Sequence, residues 1–240
     1  MTWEVAVALA SILAGAIASV AGFGIGSILT PLLSLQLGTQ LAIAAVSIPH
    51  LAGTALRFLM LRRSLDARVL REFGLASAAG GLAGALLHAQ VTDPALRVVF
   101  GLLLLLAAAS EMFGLARRVR LSRGGALAAG ALSGLFGGMV GNQGGIRSAA
   151  MLALPLRRDA FVATATATAL LVDGARMPVY FASTGTRIVE VWPIVLIAAV
   201  GVVAGTLAGR HALARMPERR FRMAIAILLA LLGCYMLASR

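Results

Sequence analysis

Arg147 is the residue of this sequence best suited to bind an anion. It follows a glycine-rich segment, residues 141–145 (GNQGG), inside a long apolar region. If that region lies in a bilayer, an arginine there costs at least about 2.5–3.5 kcal/mol to insert, so it should have a partner or a ligand. Its planar fork of donors suits carboxylate or sulfonate oxygens. We therefore expect Arg147 to contact an anionic ligand, with an ion pair to Asp173 as the alternative.

Two glycine-rich breaks interrupt the apolar regions, at residues 22–26 and 141–145. Each is followed by a short second helix, which starts near Ser27 in one case and near Ile146 in the other. The exposed N–H groups at a helix start carry roughly half a positive charge and bind anions. Inside a bilayer, irregular backbone is tolerated only where it is buried in protein or lines a cavity. We expect the substrate to be bound by Gly24, Gly26, Ser27, Asn142, Gln143, Gly144, Gly145 and Arg147.

Close helix packing is the alternative role for glycines in membrane helices. It better explains the glycines spaced four apart, Gly80/Gly84, Gly130/Gly134 and Gly201/Gly205/Gly209. For the two breaks we prefer anion binding, because they occupy matching positions. Asn142 and Gln143 contact the substrate or cap the second short helix, and one residue can do both.

Three other residues could assist such a site: His50, Asp173 and Arg176. Asp173 and Arg176 are three residues apart and share a helix face, so mutual neutralisation is one role for them. The other is that Asp173 carries a proton or frees an arginine for the anion. His50 can titrate near neutral pH and so couple substrate movement to protons, and an interhelical hydrogen bond is its alternative role.

The remaining polar residues have local explanations. Arg57 is close enough to the end of its apolar run for its charge to snorkel to the membrane surface. Glu111 is expected to pair with the arginines at 117–118, one to two turns further on. Thr164 and Thr168 could line the substrate path, although threonine hydroxyls in such helices more often bond back to the chain.

The composition identifies an integral membrane protein. Of 240 residues, 60% are hydrophobic and 12% are charged, whereas a soluble domain is about 45–50% apolar and about 25% charged. All 21 basic residues are arginines that cluster between apolar runs, which is typical of cytoplasmic membrane loops rather than of nucleic-acid binding. The single Cys234 excludes a disulfide framework, and the three histidines share no ligand-like spacing. We expect no metal and no cofactor.

The apolar runs predict the membrane topology. Residues 1–4 lack the basic region of a cleaved signal peptide, so the run at 3–20 belongs to the mature fold. The second arms of the broken regions have 11 residues, roughly 16 Å of helix, which is about half of the hydrocarbon core. Runs long enough to cross lie at 40–61, 70–90, 95–116, 160–183, 188–209 and 221–238.

Arginine placement decides how the two broken regions enter the membrane. If each were a single crossing, the basic clusters would divide between the two faces. If each is a hairpin, the clusters at 62–71, 117–123, 157–158 and 210–222 all share one face, and the chain obeys the positive-inside rule. We predict hairpins, with the arginine clusters inside the cell and both termini outside.

This topology predicts an all-α polytopic membrane protein with two inverted-topology repeats, each a broken-helix hairpin plus three transmembrane helices. The chain is one membrane domain, 1–240, with halves 1–117 and 118–240. Internal similarities support the repeat: Gly80/Gly84 with Gly201/Gly205, Gly53 with Gly174, and residues 93–97 with 216–220. Inverted repeats with glycine-interrupted segments at matching positions are typical of secondary transporters, which bind substrate at the interruptions.

Two sequence signatures resemble those of the sulfite exporter TauE/SafE family of membrane permeases. They are GFGIGSILTPLL at 22–33 and GNQGGIRSAAMLALP at 141–155, and the resemblance covers essentially the whole chain. It implies two related halves and the transport of small, often sulfur-containing anions. The second signature departs from the family's plainer glycine run at Asn142, Gln143 and Arg147.

We expect a secondary transporter in the cell membrane that carries a sulfite, sulfonate or carboxylate type of anion by alternating access. An anion channel of similar build is the alternative. An intramembrane hydrolase is a weaker alternative, because no G-x-S-x-G or H-E-x-x-H motif is present. The sequence also lacks an ATP-binding loop. The expected partners are the anion, the lipid bilayer and, in a homodimer, a second copy of the chain.

Overall fold

The computed structural model describes residues 2–115, 121–142, 144–152, 154, 156–212 and 216–239, and in these residues it contains helices and no strands. These include a 3-10 turn (Arg62–Ser64) and a π-helical turn (Leu70–Gly74). The helices are α1 (Trp3–Ala21), α2 (Ile25–Leu37), α3 (Thr39–Leu61), α4 (Ala67–Val69), α5 (Leu75–His88), α6 (Asp93–Phe113), α7 (Arg123–Val140), α8 (Gly144–Leu152), α9 (Arg158–Glu190), α10 (Trp192–Ala212) and α11 (Glu218–Ala238).

Five of the described helices are long and apolar enough to cross a membrane: α1, α3 with its 3-10 turn, α6, α10 and α11. The prediction of an all-helical, multi-pass membrane protein is therefore confirmed. The predicted boundary between the runs at 160–183 and 188–209 is wrong, because α9 continues to Glu190 and α10 begins at Trp192. Pro193 explains the shift: proline ends the preceding helix and is favoured in the first turn of the next.

The two predicted breaks are present, and each begins at a glycine. Gly22 ends α1 and Gly141 ends α7, both with left-handed backbone (φ 82° and 73°). Each glycine N–H donates to the carbonyl four residues earlier, that of Ala18 or Gly137. Glycine adopts this conformation without a Cβ clash, which is why it commonly ends helices. The second helices start at Ile25 and Gly144, two residues earlier than predicted.

Polar contacts define the two ends of the molecule. At one end, the Asp93 end, the Asp93 carboxylate accepts hydrogen bonds from the N–H groups of Thr39 and Gln40 at the start of α3 (3.0 and 2.6 Å). At the other, the Asp66 end, the Asp66 N–H donates to Thr164 Oγ1 near the start of α9 (3.0 Å). Helix α3 therefore runs from the Asp93 end to the Asp66 end, and α9 runs in the opposite direction.

The α1–α2 segment starts and finishes at the Asp93 end. Helix α10 begins there, one residue after α9 ends. Helix α1 runs parallel to α10, since Gly201 packs on Ser11, Gly205 on Ile12 and Gly209 on Ala16. Helix α2 ends at Gly38, which lies against the Asp93 carboxylate. Residues 3–37 therefore form a hairpin that is open toward the Asp93 end.

The α7–α8 segment starts and finishes at the Asp66 end. Helix α7 runs parallel to α5, because Gly80 packs on the carbonyl of Ala131 and Gly84 on that of Leu135. Met151, at the end of α8, packs in a cluster with Phe73 near the start of α5. This second hairpin is therefore open toward the Asp66 end.

The glycines spaced four apart pack against helix backbones, as predicted. A Cβ at position 80, 84 or 205 would lie 2.0 Å from a backbone oxygen of the neighbouring helix. Gly53 and Gly174, which the sequence comparison matched, differ in packing: Gly53 packs on Val202, whereas no atom of another described segment lies within 4 Å of a Cβ at Gly174.

Candidate functional site

The two hairpin tips touch inside the helix bundle. A Cβ added to Gly26 would lie 2.7 Å from the carbonyl oxygen of Gly141. One added to Gly144 would lie 2.3 Å from the Cβ of Phe23. Because side chains at these glycines would overlap the opposite tip, glycine is what allows the two breaks to meet. The structure therefore brings together the residues that the sequence marked at both breaks.

Polar groups line the contact between the tips. Ser27 Oγ donates to Asn142 Oδ1 (3.4 Å), and both side chains are buried. The amide nitrogen of Asn142 has no hydrogen-bond partner. Gly24, before the start of α2, has φ 126°, a conformation that favours glycine. Gln143 lies outside the described residues.

Arg147 is buried beside both tips with most of its donors unused. Its exposed fraction is 2%. Nη2 lies 3.5 Å from the carbonyl oxygen of Gly22, at the end of α1, whereas Nε and Nη1 have no hydrogen-bond partner among the described residues. The alternative of an ion pair with Asp173 is not what the structure shows, since the close charged partners of that carboxylate are other residues.

Asp173 is held between His50 and Arg176. Its Oδ2 lies 2.7 Å from His50 Nδ1, and its Oδ1 lies 2.7 Å from Arg176 Nη2. This carboxylate is fully buried. Arg176 also donates from Nη1 to the carbonyl of Gly137 (2.8 Å). The predicted mutual neutralisation of Asp173 and Arg176 is confirmed, and His50 joins α3 to the same cluster.

Arg57 does not snorkel to the membrane surface as the sequence predicts. It is buried in the bundle, and its Nη1 donates to the carbonyl oxygen of Ala18 in the last turn of α1. The physical reason is that α1 ends inside the protein, where its last carbonyls form the negative end of the helix dipole and need donors. That helix end therefore retains the guanidinium.

Two other polar residues have partners that the sequence did not predict. Glu111 pairs with Arg222 of α11 (3.0 Å), whereas Arg117 and Arg118 lie outside the described residues. Thr164 accepts a hydrogen bond from the Asp66 backbone at the Asp66 end. Thr168 Oγ1 is buried without a partner. Glu111 and Thr164 therefore have partners in distant segments of the chain, which spacing along one helix does not reveal.

Sequence reasoning missed two residues that fix the end of α7. Tyr180 donates its hydroxyl proton to the carbonyl of Gly138, and His88 Nδ1 lies 2.9 Å from the carbonyl oxygen of Met139. The two rings are 4.8 Å apart. The sequence did contain a signal for Tyr180, because it lies one turn after Arg176 on α9.

A cavity of about 490 Å³ reaches the tips from the region of the Glu111–Arg222 pair. Phe23 and Gly145 of the tips, Ser148 of α8 and Val20 and Ala21 of α1 line its inner part. A second cavity of about 210 Å³, between α6 and α8, reaches Asn142 and Gly145. The described residues contain no cluster of histidine, cysteine or carboxylate side chains that could hold a metal ion. Buried guanidinium, amide and helix-start donors beside a cavity are groups that bind an anion.

Comparison with known proteins gives one family. The family model described as sulfite exporter TauE/SafE matches residues 7–236. No curated protein and no solved structure matches the chain.

Proposed function

Because the chain belongs to the sulfite exporter TauE/SafE family, we propose that it is a secondary transporter that binds its anion between the two hairpin tips and moves it by alternating access. Family membership makes the chain a multi-pass membrane transporter of sulfite or related anions. The binding residues, the mechanism and the coupling are our proposal.

The observation that carries the proposal is the burial of the Arg147 guanidinium. It is 2% exposed, and neither Nε nor Nη1 has a hydrogen-bond partner in the part of the chain that the structure describes. A buried donor without a partner costs about 1–3 kcal/mol, and more when the group is charged. An oxyanion beside Arg147 would accept from both nitrogens and neutralise the charge. Anion binding would therefore remove this cost.

The tips add neutral donors around the same point. The first N–H groups of α2 and α8 have no acceptor within their own helices, and both helices start where the tips touch. Asn142 offers its unpaired amide nitrogen, and Ser27 contacts the same side chain. In a water-poor interior these dipoles act on an anion more strongly than they would in water.

Alternating access follows from two related halves that move against each other about the site. Support comes from matching contacts: in each half an arginine donates to a carbonyl that lies 39 residues earlier, Arg57 to Ala18 and Arg176 to Gly137. The hairpins open toward opposite ends, as repeats of inverted topology require. The cavity that reaches the tips from beside Glu111 and Arg222 is the access path in this conformation.

The membrane orientation and the proton coupling belong to the same proposal. Arg62, Arg63, Arg68 and Arg71 lie at the Asp66 end, so the positive-inside rule puts this end in the cytoplasm. The partly buried His50 and the fully buried Asp173 lie 2.7 Å apart, so the pair can exchange a proton. We assign the coupling proton to this pair.

Flux into proteoliposomes tests the proposal, with sulfite and methanesulfonate as labelled substrates. Arg147→Gln is expected to lower the initial rate at least about tenfold, as loss of about 1.4 kcal/mol of binding requires. Arg187→Gln, which changes an exposed arginine at the Asp93 end, is the control and keeps the wild-type rate. If Arg147→Gln transports at the wild-type rate, Arg147 does not bind the anion and the proposed site is wrong. Flux that does not saturate with substrate would favour a channel over a carrier.

A further inference from the structure

The buried charges of the described residues do not balance. The buried side chains with a full charge are Arg57, Arg147, Arg176 and Asp173. Asp173 contacts Arg176 at 2.7 Å, so that pair is neutral. Arg57 and Arg147 remain, and the contacts described for each are with backbone carbonyls. Two positive charges that share one counter-ion in a membrane interior are costly, and a further negative charge beside them would lower that cost.

Arg57 and Arg176 occupy corresponding places in the two halves. Each donates to the fourth residue before a left-handed glycine that ends a helix, and each lies 39 residues after that acceptor. The residue three positions before Arg176 is its counter-ion, Asp173. The residue three positions before Arg57 is Thr54. The first half therefore has a hydroxyl where the second half has a carboxylate.

Thr54 and Arg57 have unused polar atoms at this place. Thr54 is fully buried, and its Oγ1 has no hydrogen-bond partner among the described residues. Within the same part of the chain, the Nε of Arg57 also has none. A buried threonine hydroxyl usually bonds back to its own helix. Residues three apart share a helix face, so an added oxyanion on this face of α3 would satisfy both the hydroxyl and the guanidinium nitrogen.

Arg57 is close to the site that contains Arg147. The two guanidinium groups contact the same turn of α1, through the carbonyls of Ala18 and Gly22, and they are near enough for their charges to interact. The cavity described above is lined in part by Ala21 and Phe23, the residues on either side of Gly22. One ligand in this region can therefore lie between both arginines.

We propose that Arg57 and Thr54 form the second part of the anion site, and that the substrate carries two negative charges. One oxygen of the divalent anion takes the place on Arg57 that the Asp173 carboxylate takes on Arg176, and another oxygen binds Arg147. This inference rests on the proposed function, and it adds to it a second binding arginine and the charge of the substrate.

Binding to purified protein tests the inference with a divalent and a monovalent probe. The probes are sulfite, in a buffer alkaline enough to keep it divalent, and methanesulfonate. Wild-type protein is expected to bind sulfite at least about tenfold more tightly. In Arg57→Gln the dissociation constant for sulfite rises at least about tenfold, whereas that for methanesulfonate changes less than about threefold. A purely structural role for Arg57 would change both constants equally.

Thr54→Asp is the sharper variant, because it supplies to Arg57 the counter-ion that Arg176 already has. The new carboxylate occupies the position of the substrate charge, so sulfite binding falls at least about tenfold below that of Thr54→Asn, which adds similar volume without charge. Arg187→Gln is the unchanged control, and thermal unfolding shows that each variant is folded. If Thr54→Asp does not fold, the comparison of both probes in Arg57→Gln decides.

The outcomes separate this inference from the proposed function. If Arg147→Gln abolishes sulfite binding while Thr54→Asp and Arg57→Gln bind both probes like wild type, the inference is wrong and the proposed function stands. If wild-type protein binds neither probe, both fail. If methanesulfonate binds as tightly as sulfite, the proposal that the substrate carries a second negative charge is wrong.

Discussion

Gly26 of the first hairpin lies directly on the backbone carbonyl of Gly141 in the second, and a Cβ at position 26 would be 2.7 Å from that oxygen. The contact is between two backbones, so neither partner can move aside as a flexible side chain would. It places the starts of α2 and α8 next to each other. The donors of two distant segments thereby become one site.

Gly26→Ala is expected to separate the tips. The new methyl group overlaps a backbone oxygen, and such overpacking costs about 1–3 kcal/mol. We expect a lower midpoint of thermal unfolding and a sulfite flux at least about tenfold below wild type. Gly174→Ala is the matched control, since no atom lies within 4 Å of its Cβ and alanine favours a helix. Wild-type flux in Gly26→Ala would show that the close tip contact is unnecessary.

Asp173→Asn is expected to destabilise the protein more than any other single change in the cluster. The variant removes the counter-ion of Arg176, 2.7 Å away, and the partner of His50. Breaking a buried ion pair on one side costs about 3–5 kcal/mol. Chemical unfolding in detergent measures the loss. The pair of the exposed Arg68 and the partly exposed Glu72 provides the comparison, because Glu72→Gln is expected to cost less than about 1 kcal/mol. Equal losses would mean that Asp173 has no special role.

His50→Gln tests the proton coupling. Glutamine can still donate a hydrogen bond to Asp173, but it does not titrate. We expect the variant to fold and to bind sulfite, while an imposed pH gradient no longer drives sulfite accumulation. A pH-sensitive dye inside the proteoliposomes reports proton movement during transport. Proton movement that matches the wild type in His50→Gln would exclude this histidine as the carrier.

Ser148 should be reachable from the cytoplasm, because it lines the cavity that leads to the tips. In a Cys234→Ser background, which removes the exposed cysteine, Ser148→Cys is expected to react with a membrane-impermeant thiol reagent added to inside-out vesicles. Sulfite should slow the reaction. Ser11→Cys is the negative control, since Ser11 is fully buried. Faster labelling of Ser148→Cys in right-side-out vesicles would reverse the orientation.

Tyr180→Phe probes the end of α7 away from the proposed substrate. The hydroxyl group donates to the carbonyl of Gly138, so its removal should cost about 0.5–1.5 kcal/mol. We expect the unfolding midpoint to fall while the dissociation constant for sulfite stays unchanged. A change in sulfite affinity without a change in stability would place Tyr180 in the binding site.

The amino-acid sequence determined those features of this protein that depend on local chemistry. Apolar length and composition determine that it crosses the membrane. Gly22 and Gly141 determine where α1 and α7 end, because a left-handed residue is a property of one position and favours glycine. The burial of Arg147 also follows from its place in an apolar region. The end of α9 was missed by several residues, since helix continuation through Gly185 to Glu190 depends on small differences in free energy.

Only the tertiary structure decided which buried groups are partners. Spacing along one helix indicated the Asp173–Arg176 pair, but it could not show that His50 binds the same carboxylate, that Glu111 reaches Arg222, or that Arg57 binds the end of α1. The residues of each pair are far apart in the chain, and the packing of the helices brings them into contact. The physical reason is that a buried charge takes the nearest unsatisfied group of opposite polarity, and only the packed bundle determines which group is nearest.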